Sequence, residues 1–281
     1  RFCQVTGVQT CALPISDGYH TLQTVFAPIE WYDVIGFSRS DRLSMRCTDP
    51  ALPVDEDNLC LKAARALREE AGIKEGIEMT LDKRIPFGAG LGGGSSDAAT
   101  VLGTLNTIWD IGASAADLHR LAVKLGADVS YFLDMKALAF AGGVGDELED
   151  LGFTLPFHVV TVFPEEQIST VWAYRHFYPR FGRVVPDLRS AVRRLCLDID
   201  LSVLGVFEND FEPAVFDHYP KVKALKQQLL EAGADYASLS GSGSAVFGFF
   251  RSRDTALEAV GMAQRQGFRS TLTGPGFSLR E

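Results

Sequence analysis

No apolar run in the 281 residues approaches the roughly eighteen that a membrane-spanning helix needs, so no membrane partner is expected. Paired cysteines are also missing. Cys3, Cys11, Cys47, Cys60 and Cys196 are odd in number, scattered and without a Cys-x-x-Cys pair, which argues against a disulfide scaffold or thiolate zinc site and for a reduced, cytoplasmic setting. The five histidines have no His-Glu-x-x-His spacing, so a transition-metal centre is not expected. Positive charge is scarce: 27 Lys and Arg face 36 Asp and Glu, and no basic cluster or aromatic-basic stripe offsets the net charge of −9. A nucleic-acid partner is therefore not expected, and an anionic ligand would be met by backbone donors, a few lysines and Mg²⁺. No period of about twenty to fifty residues repeats, which excludes a solenoid.

Residues 1–16 carry neither a basic n-region nor an apolar h-region, so a signal peptide is not indicated. Residues 5–16, Val-Thr-Gly-Val-Gln-Thr-Cys-Ala-Leu-Pro-Ile-Ser, resemble a translated sequencing adapter in place of a natural start, and residues 1–16 are set aside as a non-native segment.

What the chain has is glycine in one place. Residues 88–94 hold five glycines among seven positions and run into an alanine-rich helical pattern. Glycine tolerates positive φ and lets main-chain N–H groups approach an anion, and a helix start adds further donors. Ser95, Ser96 or Asp97 is read as that helix's cap. A Walker loop is excluded because Gly94 stands where its lysine belongs. The spacing of Gly88, Gly90 and Gly93 fits Gly-x-Gly-x-x-Gly, but the loop is entered through Asp82-Lys83-Arg84-Ile85-Pro86 and Asp110 ends no strand, which weighs against a dinucleotide fold. The bland alternative is a turn that merely packs helix on sheet, against which stands the backbone entropy that so many glycines cost.

Upstream, strands are predicted over residues 31–37, 43–47 and about 77–81, with a helix capped within residues 55–58 and ended by Gly72. Downstream, Ser114 and Asp117 form a variant capping box that opens a helix ending at Gly126. Asp128 then sits in an apolar segment, either capping a short helix or performing chemistry. Strands are predicted at residues 137–141 and 146–151, and a domain boundary near residues 151–156. The order of strands and helices beyond it suits a split βαβ, ferredoxin-like layer.

Pro86-Phe87-Gly88-Ala89-Gly90-Leu91-Gly92-Gly93-Gly94-Ser95-Ser96-Asp97 resembles the second motif of the GHMP small-molecule kinases. Gly126-Ala127-Asp128-Val129 resembles their catalytic segment, and Leu239-Ser240-Gly241-Ser242-Gly243-Ser244 their third motif. Asp17-Gly18-Tyr19-His20 resembles the cytidine-recognising element of the branch acting on a cytidine diphosphate-linked methylerythritol. The resemblance implies an α+β, two-domain GHMP kinase fold. A ribosomal protein S5 domain 2-like N-terminal domain would cover residues 17–153 and a ferredoxin-like C-terminal domain residues 154–281.

The implied activity is ATP-dependent phosphorylation of the 2-hydroxyl of that small-molecule substrate in the non-mevalonate route to isoprenoids. The alternatives are a homoserine or mevalonate type of GHMP kinase, a nucleotide-binding protein without catalysis, or a dinucleotide-dependent oxidoreductase. By the same resemblance Lys83, Pro86, Phe87, Gly88, Ala89, Gly90, Leu91, Gly92, Gly93, Gly94, Ser95 and Ser96 bind ATP, and Ser95 or Ser96 ligates Mg²⁺. Asp128 accepts the hydroxyl proton, while Tyr19 and His20 read the cytosine. Lys83 has the plainer alternative of an exposed lysine at a strand end. The family also places a catalytic lysine in an Ala-Lys-x-Asn-Leu strand upstream of the cytidine element, yet no lysine precedes Lys62. A missing strand and a slow phosphoryl transfer are the expected consequences.

Overall fold

The computed structural model describes residues 4–14, 20–134, 137–143, 145, 147–178 and 186–279, with the backbone alone for residues 4–14 and 20–22. In chain order come β1 (Gln4–Pro14), β2 (His20–Ile29), β3 (Val34–Ser40), β4 (Leu43–Cys47), α1 (Leu59–Glu70), β5 (Gly76–Asp82), α2 (Gly93–Ile108), α3 (Ala115–Leu125) and α4 (Ala127–Asp134). Then follow β6 (Ala139–Gly142), β7 (Glu147–Asp150), β8 (His158–Phe163), α5 (Thr170–His176), α6 (Leu188–Leu197), α7 (Glu212–His218) and α8 (Pro220–Glu231). The chain continues with β9 (Tyr236–Leu239), β10 (Val246–Phe250), α9 (Arg253–Arg265) and β11 (Arg269–Thr273). Among the described residues no helix is long and apolar enough to cross a membrane.

Contacts divide the chain into two units. One comprises Trp31–Phe87 and Gly92–Met135; the other gathers Gln4–Glu30, Gly88–Leu91 and Lys136–Glu281. Sequence order cannot show this, because β2 pairs with β6, over a hundred residues later, and so leaves its sequence neighbours.

In the first unit β5 lies between β3, antiparallel to it, and β4, parallel to it. Parallel pairing requires a crossover, which α1 supplies. The Asn58 side chain accepts a hydrogen bond from Cys60 N at 2.9 Å and starts that helix, whose apolar face buries Leu61, Ala64 and Leu67. Alternation puts Ile77, Met79 and Leu81 of β5 in the same core, each at most 1% exposed. α2 brings Ala98, Val101, Leu102 and Leu105 to it, which makes α2 the central helix of this unit. The predicted capping box at Ser114 and Asp117 forms in both directions.

In the second unit β1, β2, β6 and β7 form one antiparallel sheet. A second antiparallel sheet runs β11-β8-β10-β9, the ferredoxin-like order of its four strands.

Two expectations are corrected here. The strand predicted at residues 31–37 begins only at Val34, because Trp31 and Asp33 are drawn to the segment after β5: Trp31 Nε1 donates to Arg84 O, and Asp33 Oδ1 accepts from Arg84 N and Ile85 N. The neighbour of β2 is not missing either. Residues 4–14, set aside from the sequence, pair with β2 from Gln4↔Ile29 to Pro14↔His20, with one register shift between Thr10 and Ala12. Ladder bonds are made by main-chain groups that every non-proline residue carries, so a segment rich in Val and Thr can cover this edge whatever its ancestry.

Candidate functional site

Three left-handed glycines set the shape of the first glycine loop: Gly88 (φ 73°), Gly90 (φ 76°) and Gly92 (φ 72°). Between them Ala89 and Leu91 are anchors, 1% and 2% exposed, while Pro86 is buried and Phe87 exposed. Positive φ at these three positions is a backbone that glycine alone adopts readily. Gly92 is also the N-cap of α2, and among the described residues no side chain caps the helix there. This corrects the expectation of a cap from Ser95, Ser96 or Asp97, all of which lie inside the helix because it begins at Gly93. The main-chain N–H groups of Gly94 and Ser95 have no acceptor within the helix, and the helix dipole favours an anion before them. Gly94 is exposed, Ser95 half-buried and Ser96 only 1% exposed.

The second glycine turn, between β9 and β10, closes on itself and on the first loop. Ser240 N donates to Ala245 O at 2.8 Å, Ser240 Oγ to Gly90 O at 2.9 Å, and Ala245 N to Ala89 O at 3.0 Å. The backbones come so near that a Cβ on Gly90 would stand 2.2 Å from Ser240 O, and one on Gly243 2.1 Å from Ala89 C. Close approach, besides any ligand, therefore demands these two glycines. Asn209 steadies the turn by donating from Nδ2 to Leu239 O (2.9 Å) and Gly241 O (2.8 Å). Glu212 adds an acceptor for Ser238 Oγ and Leu239 N, both at 3.0 Å. Nothing in the spacing of Asn209 and Glu212 along the sequence tells what they hold.

Lys83, expected as a nucleotide contact or else an exposed strand-end lysine, is not exposed. Its side chain is 2% exposed, with Nζ 2.5 Å from Asp33 Oδ2 and 2.7 Å from Asp97 Oδ2. Burial pulls the ammonium pKa down, but Asp97 and Asp33 more than offset this and hold it above its usual value. Asp97 is pushed up to about 7, by burial first and by the neighbouring Asp33, against the pull of Lys83. Asp33 is a functional candidate that the sequence does not reveal.

Asp128 lies in the first turn of α4, half-buried. Among the described residues no hydrogen bond to its carboxylate occurs, and burial alone holds its pKa above the usual carboxylate range. That weighs against the helix-cap alternative, since a capping carboxylate would be bonded to main-chain N–H groups. Of the two cytosine-reading candidates, Tyr19 lies outside the described residues and His20 is the first residue of β2. No group of three or more His, Cys, Asp or Glu side chains suited to a metal ion occurs among the described residues.

Comparison with known proteins shows the family. The profile of the GHMP kinases N terminal domain matches residues 58–136, and that of the GHMP kinases C terminal matches residues 186–268. A 4-diphosphocytidyl-2-C-methyl-D-erythritol kinase of Chlorobium limicola is 69% identical over 264 residues, covering 94% of this chain and 92% of that one. A protein of the same description from Chlorobaculum tepidum is 55% identical over 94% of this chain and 92% of its own length. A crystal structure of a 4-(cytidine 5'-diphospho)-2C-methyl-D-erythritol kinase superposes with a TM-score of 0.82 at 32% identity, covering 98% of each chain. A homoserine kinase from Cytophaga hutchinsonii shares the fold, with a TM-score of 0.70 at 20% identity over 99% of this chain and 95% of that one. With this identity along nearly the whole length of its relatives, the chain belongs to the GHMP kinase family and, within it, to the 4-diphosphocytidyl-2-C-methyl-D-erythritol kinases.

Proposed function

We propose that the chain transfers the γ-phosphoryl group of ATP to the 2-hydroxyl of 4-diphosphocytidyl-2-C-methyl-D-erythritol, a cytoplasmic step of the non-mevalonate isoprenoid pathway. The observation that carries this is the 69% identity with the Chlorobium limicola kinase over 92% of that protein's length. Phosphoryl transfer asks for positioning and charge stabilisation more than for covalent chemistry. In this reading the N–H groups of the first glycine loop and of Gly94 and Ser95 hold the phosphates. The left-handed glycines and the start of α2 without a side-chain cap support it.

Mg²⁺ would enter with the nucleotide, since no cluster of carboxylates is available among the described residues to hold it alone. Phosphate oxygens and the Ser95 hydroxyl are a fitting donor set for so hard a cation. Ser95 is preferred to Ser96 because it is the more exposed of the two. The ion would neutralise phosphate charge. Asp128 takes the hydroxyl proton: an unpaired carboxylate raised by burial is a better base than a solvated one. Tyr19 and His20 read the cytosine by stacking and base-edge hydrogen bonds.

The strand β1 pairs with β2 but carries no lysine, so the positive charge the family sets near the reacting oxygens is lacking there. Turnover by this chain is therefore expected to be very slow, with nucleotide binding retained. An ADP-release assay with the cytidine substrate, homoserine and mevalonate tests the reading. It is run on the chain as it stands and on a version whose residues 1–16 are replaced by a strand of the Ala-Lys-x-Asn-Leu type. Turnover that rises with the lysine strand, and only on the cytidine substrate, is expected; preference for another alcohol would refute the substrate assignment.

A further inference from the structure

The buried charges around Lys83 have no part in the reaction as described, yet they lie next to the segments that carry it. Asp33 precedes β3, Lys83 follows β5, and Asp97 is on α2 four residues after its first, so three segments distant in sequence meet at one ammonium. Asp33 also accepts from Arg84 N at 2.6 Å and Ile85 N at 2.9 Å, which fixes the main chain just before the glycine loop. All three side chains are at most 3% exposed. Burying charge is costly, and a well-packed apolar trio would serve stability as well or better, so fold stability alone does not account for the arrangement.

We propose that Asp33, Lys83 and Asp97 are positioning residues for the nucleotide phosphates, tying the start of α2 to the strand end that leads into the glycine loop. This rests on the reading of that helix start as the phosphate site.

Calorimetric titration with MgATP, beside urea unfolding of the same samples, tests this. The unaltered chain should bind, and no binding would overturn the nucleotide site itself and the triad's role with it. Asp97→Asn, nearly the same shape, should fold and bind MgATP about fivefold or more weakly, the usual scale of coupling between two sites. A merely structural Asp97 would change the unfolding midpoint and leave Kd in place, and that result overturns the proposal while sparing the nucleotide site.

The uncharged variant Asp33→Asn/Lys83→Met/Asp97→Asn should unfold cooperatively and bind MgATP at least about tenfold more weakly, as expected when binding groups lose their alignment. If it folds and binds as the unaltered chain does, the positioning role fails. If it does not fold, the MgATP affinity of Asp97→Asn decides alone.

Discussion

Asp97 and Asp128 belong to the same unit, stand near the starts of two helices, and are both raised by burial, yet they keep different company. Asp97 is 2.7 Å from the ammonium of Lys83 and shares it with Asp33. Asp128 has no hydrogen-bond partner among the described residues. A buried carboxylate that is paired can order the chain around it, whereas one left unpaired costs stability and holds a lone pair open to an incoming proton. Burial raises both; what each carboxylate is bonded to sets them apart.

Removing the unpaired charge should break catalysis and spare the fold. In a version carrying the lysine strand, Asp128→Asn is expected to lower turnover by roughly two to four orders of magnitude, the usual worth of a positioned base, with little change in MgATP affinity. The same variant should melt higher than its parent. A raised carboxyl favours the folded state fully below its unfolded pKa, and that contribution is lost as pH rises through the folded value. The gain in melting temperature should therefore be larger at pH 8 than at pH 4. Unchanged turnover would remove Asp128 from the reaction.

Removing the cation from the paired site should do the reverse. Lys83→Met leaves Asp33 and Asp97 facing each other without compensation, a loss on the order of 3–5 kcal/mol for a broken buried pair. Urea unfolding measures it. Adding Asp97→Asn to Lys83→Met should recover part of the loss, since one of the two stranded charges is then gone. Equal stability of Lys83→Met and the unaltered chain would mean that the ammonium is not paired as described.

This contrast explains how far the sequence could be read. Local signals were sufficient where the structure is local: Asn58 before α1, Ser114 with Asp117 before α3, and the alternation of Ile77, Met79 and Leu81 in β5. The glycine loop was legible as a loop because five glycines in seven positions have few other uses. What stayed hidden depends on partners far along the chain. Asp33 meets Lys83 across 50 residues, and Ser240 meets Gly90 across 150, so neither the burial of Lys83 nor the crossing of the two glycine segments leaves a periodic trace. The pairing of residues 4–14 is hidden for a different reason: their sequence argues against an origin in the protein, and backbone pairing does not depend on origin.

The smallest effect tests whether the two carboxylates are independent. Asp33, Lys83, Asp97 and the thiols of Cys47 and Cys60 act on one another, whereas burial is the sole influence on Asp128. Asp97→Asn should leave stability almost unchanged at pH 4, where the native carboxyl is still protonated, and should stabilise increasingly as pH rises through about 7, because the ionisation that destabilises the parent no longer occurs. Asp128→Asn has the same sign for its own reason. Sites without shared partners add their effects within about 0.3–0.5 kcal/mol, so the double variant at pH 8 should match the sum of the singles to that margin. Urea unfolding of the four proteins closes the cycle. A coupling well beyond the margin would mean that Asp128 feels the charge of the Lys83 site through α2 and α4, and the distinction between a paired carboxylate that orders and an unpaired one that reacts would have to be replaced by one shared electrostatic site.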